Sequence, residues 1–157
     1  MFGKRKEWNV LAPMSGTVKH IEQVEDEAFA EKMLGDGAAV VPQSGMVFSP
    51  VSGVVADITD TKHAFCITTD DGVDVLLHIG INTVNLRGEG FCVVVKTGDK
   101  VTAGDKLAEV DLSVLEKHGL SFDTPVLLTE PEHFEITHIS SGNVRGGSDV
   151  LFTYKKQ

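Results

Sequence analysis

The sequence predicts an all-β fold, an antiparallel β-sandwich or barrel with one or two short helices. Short runs rich in Val, Ile, Leu and Phe recur along the chain, each closed within about ten residues by Gly, Asp-Gly or Pro. Sixteen glycines in 157 residues supply those turns. A turn-strand unit also recurs: Pro13-Met14-Ser15-Gly16-Thr17-Val18 returns as Pro50-Val51-Ser52-Gly53-Val54-Val55, identical at four of six positions. The copies are irregularly spaced, so they read as related elements of one compact β domain rather than as a solenoid.

In chain order, residues 1–7 form a polar lead expected to be flexible, and residues 155–157 a short tail. The first Pro-x-Ser-Gly unit follows the lead. Glu25–Leu34 is predicted as a short helix stopped by Gly35, and Gly35-Asp36-Gly37 as a turn. The second Pro-x-Ser-Gly unit leads into a hairpin over 61–80. Gly98-Asp99-Lys100-Val101 and Gly104-Asp105-Lys106-Leu107 each read as a turn feeding a strand. Leu112–His118 is predicted as a second short helix, with Asp111 as N-cap and Gly119 past its end. No low-complexity linker divides the chain, so 1–157 is read as a single domain.

Composition excludes several classes of function. With 41% hydrophobic residues the chain can bury a core, and a formal charge of −9 opposes binding to nucleic acid or anionic lipid. Lys4-Arg5-Lys6 is too short to reverse that. The longest apolar run, Val73–Ile81, is interrupted by Asp74 and His78, so no membrane span is expected. The N-terminus lacks an apolar h-region, which makes a reducing cytoplasm the default compartment. Cys66 and Cys92, without a CxxC spacing, are read as small core hydrophobes.

The informative segment is the hairpin from Thr61 to Gly80. If Asp70-Asp71 form a two-residue loop, paired positions sum to 141 and His63 faces His78; with Asp71-Gly72 the sum is 143 and the two are diagonal. Either register puts both imidazoles on one face, with Phe65, Ile67, Asp74 and Leu76. Val75, Leu77 and Ile79 then point into the core. Two neighbouring imidazoles cannot both carry charge cheaply, so at least one stays neutral near pH 7 with a ring nitrogen free as nucleophile or metal ligand. Asp74 stands too far along the face to complete a four-ligand zinc site. Zinc at His63 and His78 is then adventitious or shared with a partner. His20, His118, His133 and His138 lack such company, and the chain has neither a GxSxG nor a GxxxxGK[ST] motif.

Five segments together resemble a known family. They are Leu11–Gly16, Phe29–Gly37, Thr61-Lys62-His63-Ala64-Phe65, Leu77-His78-Ile79-Gly80-Ile81-Asn82-Thr83-Val84 and Gly88-Glu89-Gly90-Phe91. In this order and spacing they are similar to the glucose-type enzyme IIA of the bacterial phosphoenolpyruvate-dependent sugar phosphotransferase system. The resemblance implies that His78 takes a phosphoryl group from the histidine-containing phosphocarrier protein and gives it to a cysteine in the IIB domain of a sugar permease. It implies that His63 supports the phosphorylated ring, and that a hydroxyl from Thr61 orients the imidazole pair. Phe29, Met33, Leu34, Phe65, Leu76 and Val84 would form the apolar docking ring. No metal, nucleotide or other cofactor is needed, and regulatory target proteins are further partners of such domains. Asn82 and Asn85 stand where family members commonly carry acids, and Arg87 where Lys is frequent, which alters the charge pattern offered to a partner.

Three other functions remain open to the residues, the third being a zinc enzyme built on His63 and His78. A biotinyl- or lipoyl-type carrier also uses Ala-Pro-x-Ser-Gly and Gly-Asp-x-Val-x-Ala-Gly-Asp-x-Leu, but Gly45-Met46-Val47-Phe48 offers no hairpin lysine. A regulatory module without phosphoryl transfer is opposed by the presence of both His63 and His78.

Overall fold

The structure, a computed structural model, describes residues 6–157; Lys4, Arg5 and most of the lead expected to be flexible lie outside the described residues. The first half of the chain holds β1 (Trp8–Leu11), β2 (Gly16–His20), α1 (Glu27–Ala30), β3 (Asp36–Pro42), β4 (Met46–Phe48), β5 (Gly53–Ile58), β6 (Ala64–Thr69) and β7 (Asp74–His78). The second half adds β8 (Phe91–Val93), β9 (Lys100–Val101), β10 (Lys106–Val110), α2 (Leu112–Lys117), β11 (Thr124–Leu128), β12 (Phe134–Ile139), β13 (Asn143–Val144) and β14 (Val150–Lys156). An eight-stranded sheet runs β13-β2-β3-β11-β7-β6-β5-β9, and two three-stranded sheets run β1-β14-β12 and β4-β10-β8. The strand pairs are antiparallel, as the sequence predicts. No helix among the described residues is long and apolar enough to cross a membrane.

The repeat seen in the sequence is also a repeat of hydrogen bonds. Gly16 pairs with Val144 on one edge of the large sheet, and Gly53 with Val101 on the other. The Ser15 hydroxyl accepts from the Gly146 amide at 2.9 Å, and the Ser52 hydroxyl from the Ala103 amide at 2.8 Å. Asp149 and Asp105 carboxylates accept from backbone amides in matching turns at 2.7 and 2.8 Å. Each Pro-x-Ser-Gly unit thus pins a distant turn against a sheet edge, which explains why Ser and Gly recur together.

The large sheet has an apolar layer on each face. Phe65, Ile67, Val75, Leu77, Val126 and Leu128 belong to the main core shared with the smaller sheets. On the other face Ala39 and Leu127 meet Ile21, Val24 and Phe29 from the segment leading into and through α1, with Leu76 packed alongside. That segment places a side chain against the end of β7, where His78 sits.

Four expectations need correction. The hairpin loop has three residues, not two: Thr69 N donates to Val73 O, Gly72 N donates to Thr69 O, and Gly72 adopts φ +84°. This is a turn closed by a left-handed glycine bulge. Paired positions therefore sum to 142, for example Ala64 with His78 and Phe65 with Leu77. Phe65 and Ile67 face the core, and Ala64 and Cys66 share the face of Leu76 and His78. The first helix is one turn, capped by Asp26 and ended before Lys32 at φ +60°, rather than the longer 25–34. Asp36 and Gly37 open β3 instead of forming a turn. Cys92 is exposed on β8 and Cys66 half-buried; both are free thiols rather than core residues. The second helix follows its expected signals, with the Asp111 carboxylate accepting from Ser113 N and Gly119 at φ +66°.

A Cβ at Gly53 would stand 2.1 Å from the Thr68 carbonyl oxygen, whereas one at Gly72 would meet nothing within 4 Å. Gly53→Ala should therefore cost at least ~2–3 kcal/mol by forcing strands apart. Gly72→Ala should cost only the ~1–2 kcal/mol of a left-handed alanine. Urea denaturation of the two variants measures the difference, and equal losses would contradict it.

Candidate functional site

His78 is the last residue of β7, and the chain turns sharply after it. Gly80 adopts φ +71°, a conformation suited to glycine, and a Cβ there would lie 2.6 Å from Thr83 Cγ2. The turn is held by Thr83 Oγ1 donating to Ile79 O at 2.6 Å, Gly80 N donating to Thr124 Oγ1 at 3.3 Å, and Ile81 N donating to Ser121 O at 3.1 Å. It brings the Gly80 carbonyl to 2.8 Å from His78 Nδ1. A carbonyl can only accept, so Nδ1 carries the hydrogen and donates it. In the neutral ring, Nε2 is then left with its lone pair.

His63 lies one residue before β6, where Lys62 at φ +64° bends the chain. Its carbonyl accepts from Ile79 N at 2.8 Å, which ties its backbone to the far side of the same turn. The two imidazole rings meet edge to face, with centroids 4.9 Å apart. Their proximity agrees with the sequence reading, although neither predicted register produces it: His63 reaches the site from a bend outside the strand. His63 is only 6% exposed, so it forms the floor of the site, and half-buried His78 is its open side.

Thr61 Oγ1 is 2.7 Å from His63 Nδ1. Thr59 Oγ1, which the sequence reading did not single out, is 3.3 Å from the same nitrogen. A hydroxyl two residues before Thr61 gives no motif signal; only the bend brings it there. Phe29 is buried with its ring 5.0 Å from that of His78. It walls the site rather than standing on the open surface. Met33, Leu34 and Val84 are exposed, the first two just after α1 and the third in the short 3-10 turn 83–86 beyond Gly80. Leu76 is half-buried on the His78 face. Phe65 has no exposed surface and faces the core, so it cannot belong to a docking ring; the three-residue hairpin loop explains the misassignment. No three His, Cys, Asp or Glu side chains cluster to hold a metal among the described residues.

Burial pushes both histidines below the ordinary imidazole value. For His63 burial acts first and the neighbouring His78 second, bringing it down to about 4 against an opposing pull from the Thr61 carbonyl. For His78 burial again dominates, opposed by the Gly80 carbonyl and the Asp26 carboxylate. Both rings are therefore neutral at neutral pH, and His78 presents an uncharged nucleophilic nitrogen beside a second imidazole.

These shifts make stability depend on pH. The unfolded chain protonates its histidines near pH 6.5, whereas folded His63 resists protonation until about pH 4. Between those values the unfolded state binds more protons, so stability is complete above about 6.5 and declines as the pH falls toward 4. Urea midpoints at pH 7.5, 6 and 5 should show that decline, and His63→Gln should flatten it. An unchanged slope in the variant would contradict the assignment.

Comparison with known proteins accords with this geometry. Residues 8–134 match the family model described as phosphoenolpyruvate-dependent sugar phosphotransferase system, EIIA 1. The chain is 38% identical over 152 residues to the "PTS system glucose-specific EIIA component" of Buchnera aphidicola, covering 97% of this chain and 94% of that protein. It is 41% identical over 149 residues to the protein of the same name from Halalkalibacterium halodurans, covering 94% and 86% respectively. The solved structure "glucose permease IIA from Mycoplasma capricolum" superposes with a TM-score of 0.90 at 42% identity, covering 98% of this chain and 99% of that one. A match along nearly the whole length, in sequence and in fold, leads to one conclusion: the chain belongs to the EIIA 1 family of the phosphoenolpyruvate-dependent sugar phosphotransferase system and is a phosphotransfer component of it.

Proposed function

We propose that His78 Nε2 receives a phosphoryl group from the phosphohistidine of the phosphocarrier protein and passes it to a cysteine thiolate in the IIB domain of a sugar permease. The observation that carries this reading is the 2.8 Å bond from His78 Nδ1 to the Gly80 carbonyl, beside the His63 ring. In the first step the Nε2 lone pair attacks phosphorus while the N–P bond of the donor breaks, its electron pair returning to the donor ring. The hydrogen on Nδ1 stays in place, so no base is needed. In the second step the thiolate attacks and the His78 N–P bond breaks the same way.

Such transfer depends on alignment and on stabilising the charge of the moving group. His63, neutral at neutral pH, can donate from Nε2–H to a phosphoryl oxygen. That requires its Nδ1 to accept a hydrogen bond, a role the Thr61 hydroxyl fits at 2.7 Å. Leu76 and the exposed Met33, Leu34 and Val84 give a partner an apolar surface to cover, with buried Phe29 walling the site beneath it, excluding the water that would hydrolyse phosphohistidine. We read 1–157 as one domain working in the cytoplasm, without a cofactor. The relatives' names point to glucose as the sugar served, with sugar choice made by the permease.

Incubation with phosphoenolpyruvate, enzyme I and the phosphocarrier protein should put acid-labile phosphate on His78. His78→Gln should take up none. His63→Gln should still be phosphorylated but lose onward transfer by tenfold or more, as expected for removing a positioned donor. Labelling of His78→Gln would show the nucleophile to be misassigned.

A further inference from the structure

The bend that precedes β6 brings two hydroxyls, not one, to His63. Thr61 Oγ1 stands at 2.7 Å from Nδ1 and Thr59 Oγ1 at 3.3 Å. An imidazole nitrogen in the plane of the ring has a single lone pair or a single hydrogen, so two good partners at one nitrogen cannot both be served fully at once. The surroundings of Thr59 decide what it can offer. Its oxygen already accepts from the Ala64 amide at 3.2 Å. Its hydrogen can go to the Ala64 carbonyl at 3.5 Å or to His63 Nδ1 at 3.3 Å, and the latter is the nearer acceptor. The Thr59 backbone is latched as well, its amide donating to Ala64 O at 3.1 Å and its carbonyl accepting from Lys62 N at 2.8 Å. Thr59 is thus fixed to the first residue of β6 at the same time as it faces the ring.

We propose that Thr59 is a second positioning residue for His63, a reserve donor that aims its hydroxyl hydrogen at Nδ1 and holds the ring hydrogen on Nε2 when the Thr61 hydroxyl turns away. Thr61 lies at the bend between exposed Asp60 and exposed Lys62. Thr59 is anchored by the strand and keeps its aim. The Thr61 carbonyl also stabilises the protonated ring. With one hydroxyl present the ring keeps its hydrogen on Nε2; with neither, no hydroxyl donor aimed at Nδ1 holds it there. The consequence for donation rests on the function proposed above, but the ring hydrogen can be read in the resting protein without any phosphoryl transfer.

Nitrogen-15 NMR of the unphosphorylated protein at pH 7.5 reports which ring nitrogen of His63 carries the hydrogen. Thr61→Val should keep it mainly on Nε2, and Thr59→Val likewise, while the double variant should shift it toward Nδ1. Donation to the IIB domain should fall roughly three- to tenfold further in the double variant than in Thr61→Val, the range of one lost hydrogen bond. Thr59→Ser combined with Thr61→Val should match Thr61→Val alone, which separates the hydroxyl from the bulk of the side chain. A double variant with the same tautomer as Thr61→Val would overturn the proposal, as would Thr61→Val already carrying the hydrogen on Nδ1. If no variant or wild-type protein accepts phosphate, the function fails while the tautomer result still decides the role of Thr59.

Discussion

The site depends on the hydrogen bond between His78 Nδ1 and the Gly80 carbonyl. It fixes which nitrogen holds the hydrogen and leaves the other with its lone pair free, and it does so with backbone, which cannot titrate. Everything that shapes the turn after β7 serves that bond. The left-handed Gly80, the Thr83 hydroxyl on Ile79 O and the contacts to Thr124 and Ser121 hold the carbonyl in place before any partner arrives. Pre-orientation of this kind suits a phosphoryl carrier, whose chemistry needs alignment more than covalent assistance.

The second constraint is burial. The large sheet carries apolar layers on both faces, and the segment with Ile21, Val24 and Phe29 covers the face on which His78 ends its strand. The Phe29 ring against His78, and the burial of His63 to 6% exposure, lower both imidazoles toward the neutral form. A fully exposed pair would be partly protonated near its ordinary value and would offer a weaker nucleophile. Yet His78 keeps an open side, which a carrier that must hand its cargo to another protein requires.

Much of this was legible in the sequence because the signals are local. The all-β class followed from short apolar runs between glycines, the second helix from Asp111 and Gly119, and the histidine pair from one hairpin. The sheet-edge turns were foreshadowed by the repeated Pro-x-Ser-Gly. What escaped was set by single backbone conformations. Gly72 in the left-handed region adds one residue to the loop and moves Phe65 from the site face to the core. Lys32 in the same region stops the first helix after one turn, and Lys62 carries His63 and Thr59 together by a bend that no side-chain alternation encodes. The Gly80 carbonyl escaped for a related reason, since a backbone acceptor leaves no mark in residue type beyond the glycine itself.

The account's central claim is the identity of the attacking atom. Phosphorus-31 and nitrogen-15 NMR of the singly phosphorylated protein measures it through the coupling between phosphorus and the ring nitrogens. The account predicts a phosphorus–nitrogen bond at Nε2 of His78, with Nδ1 still carrying a hydrogen protected by the Gly80 carbonyl. Phosphate found on Nδ1 of His78, or on either nitrogen of His63, would contradict it.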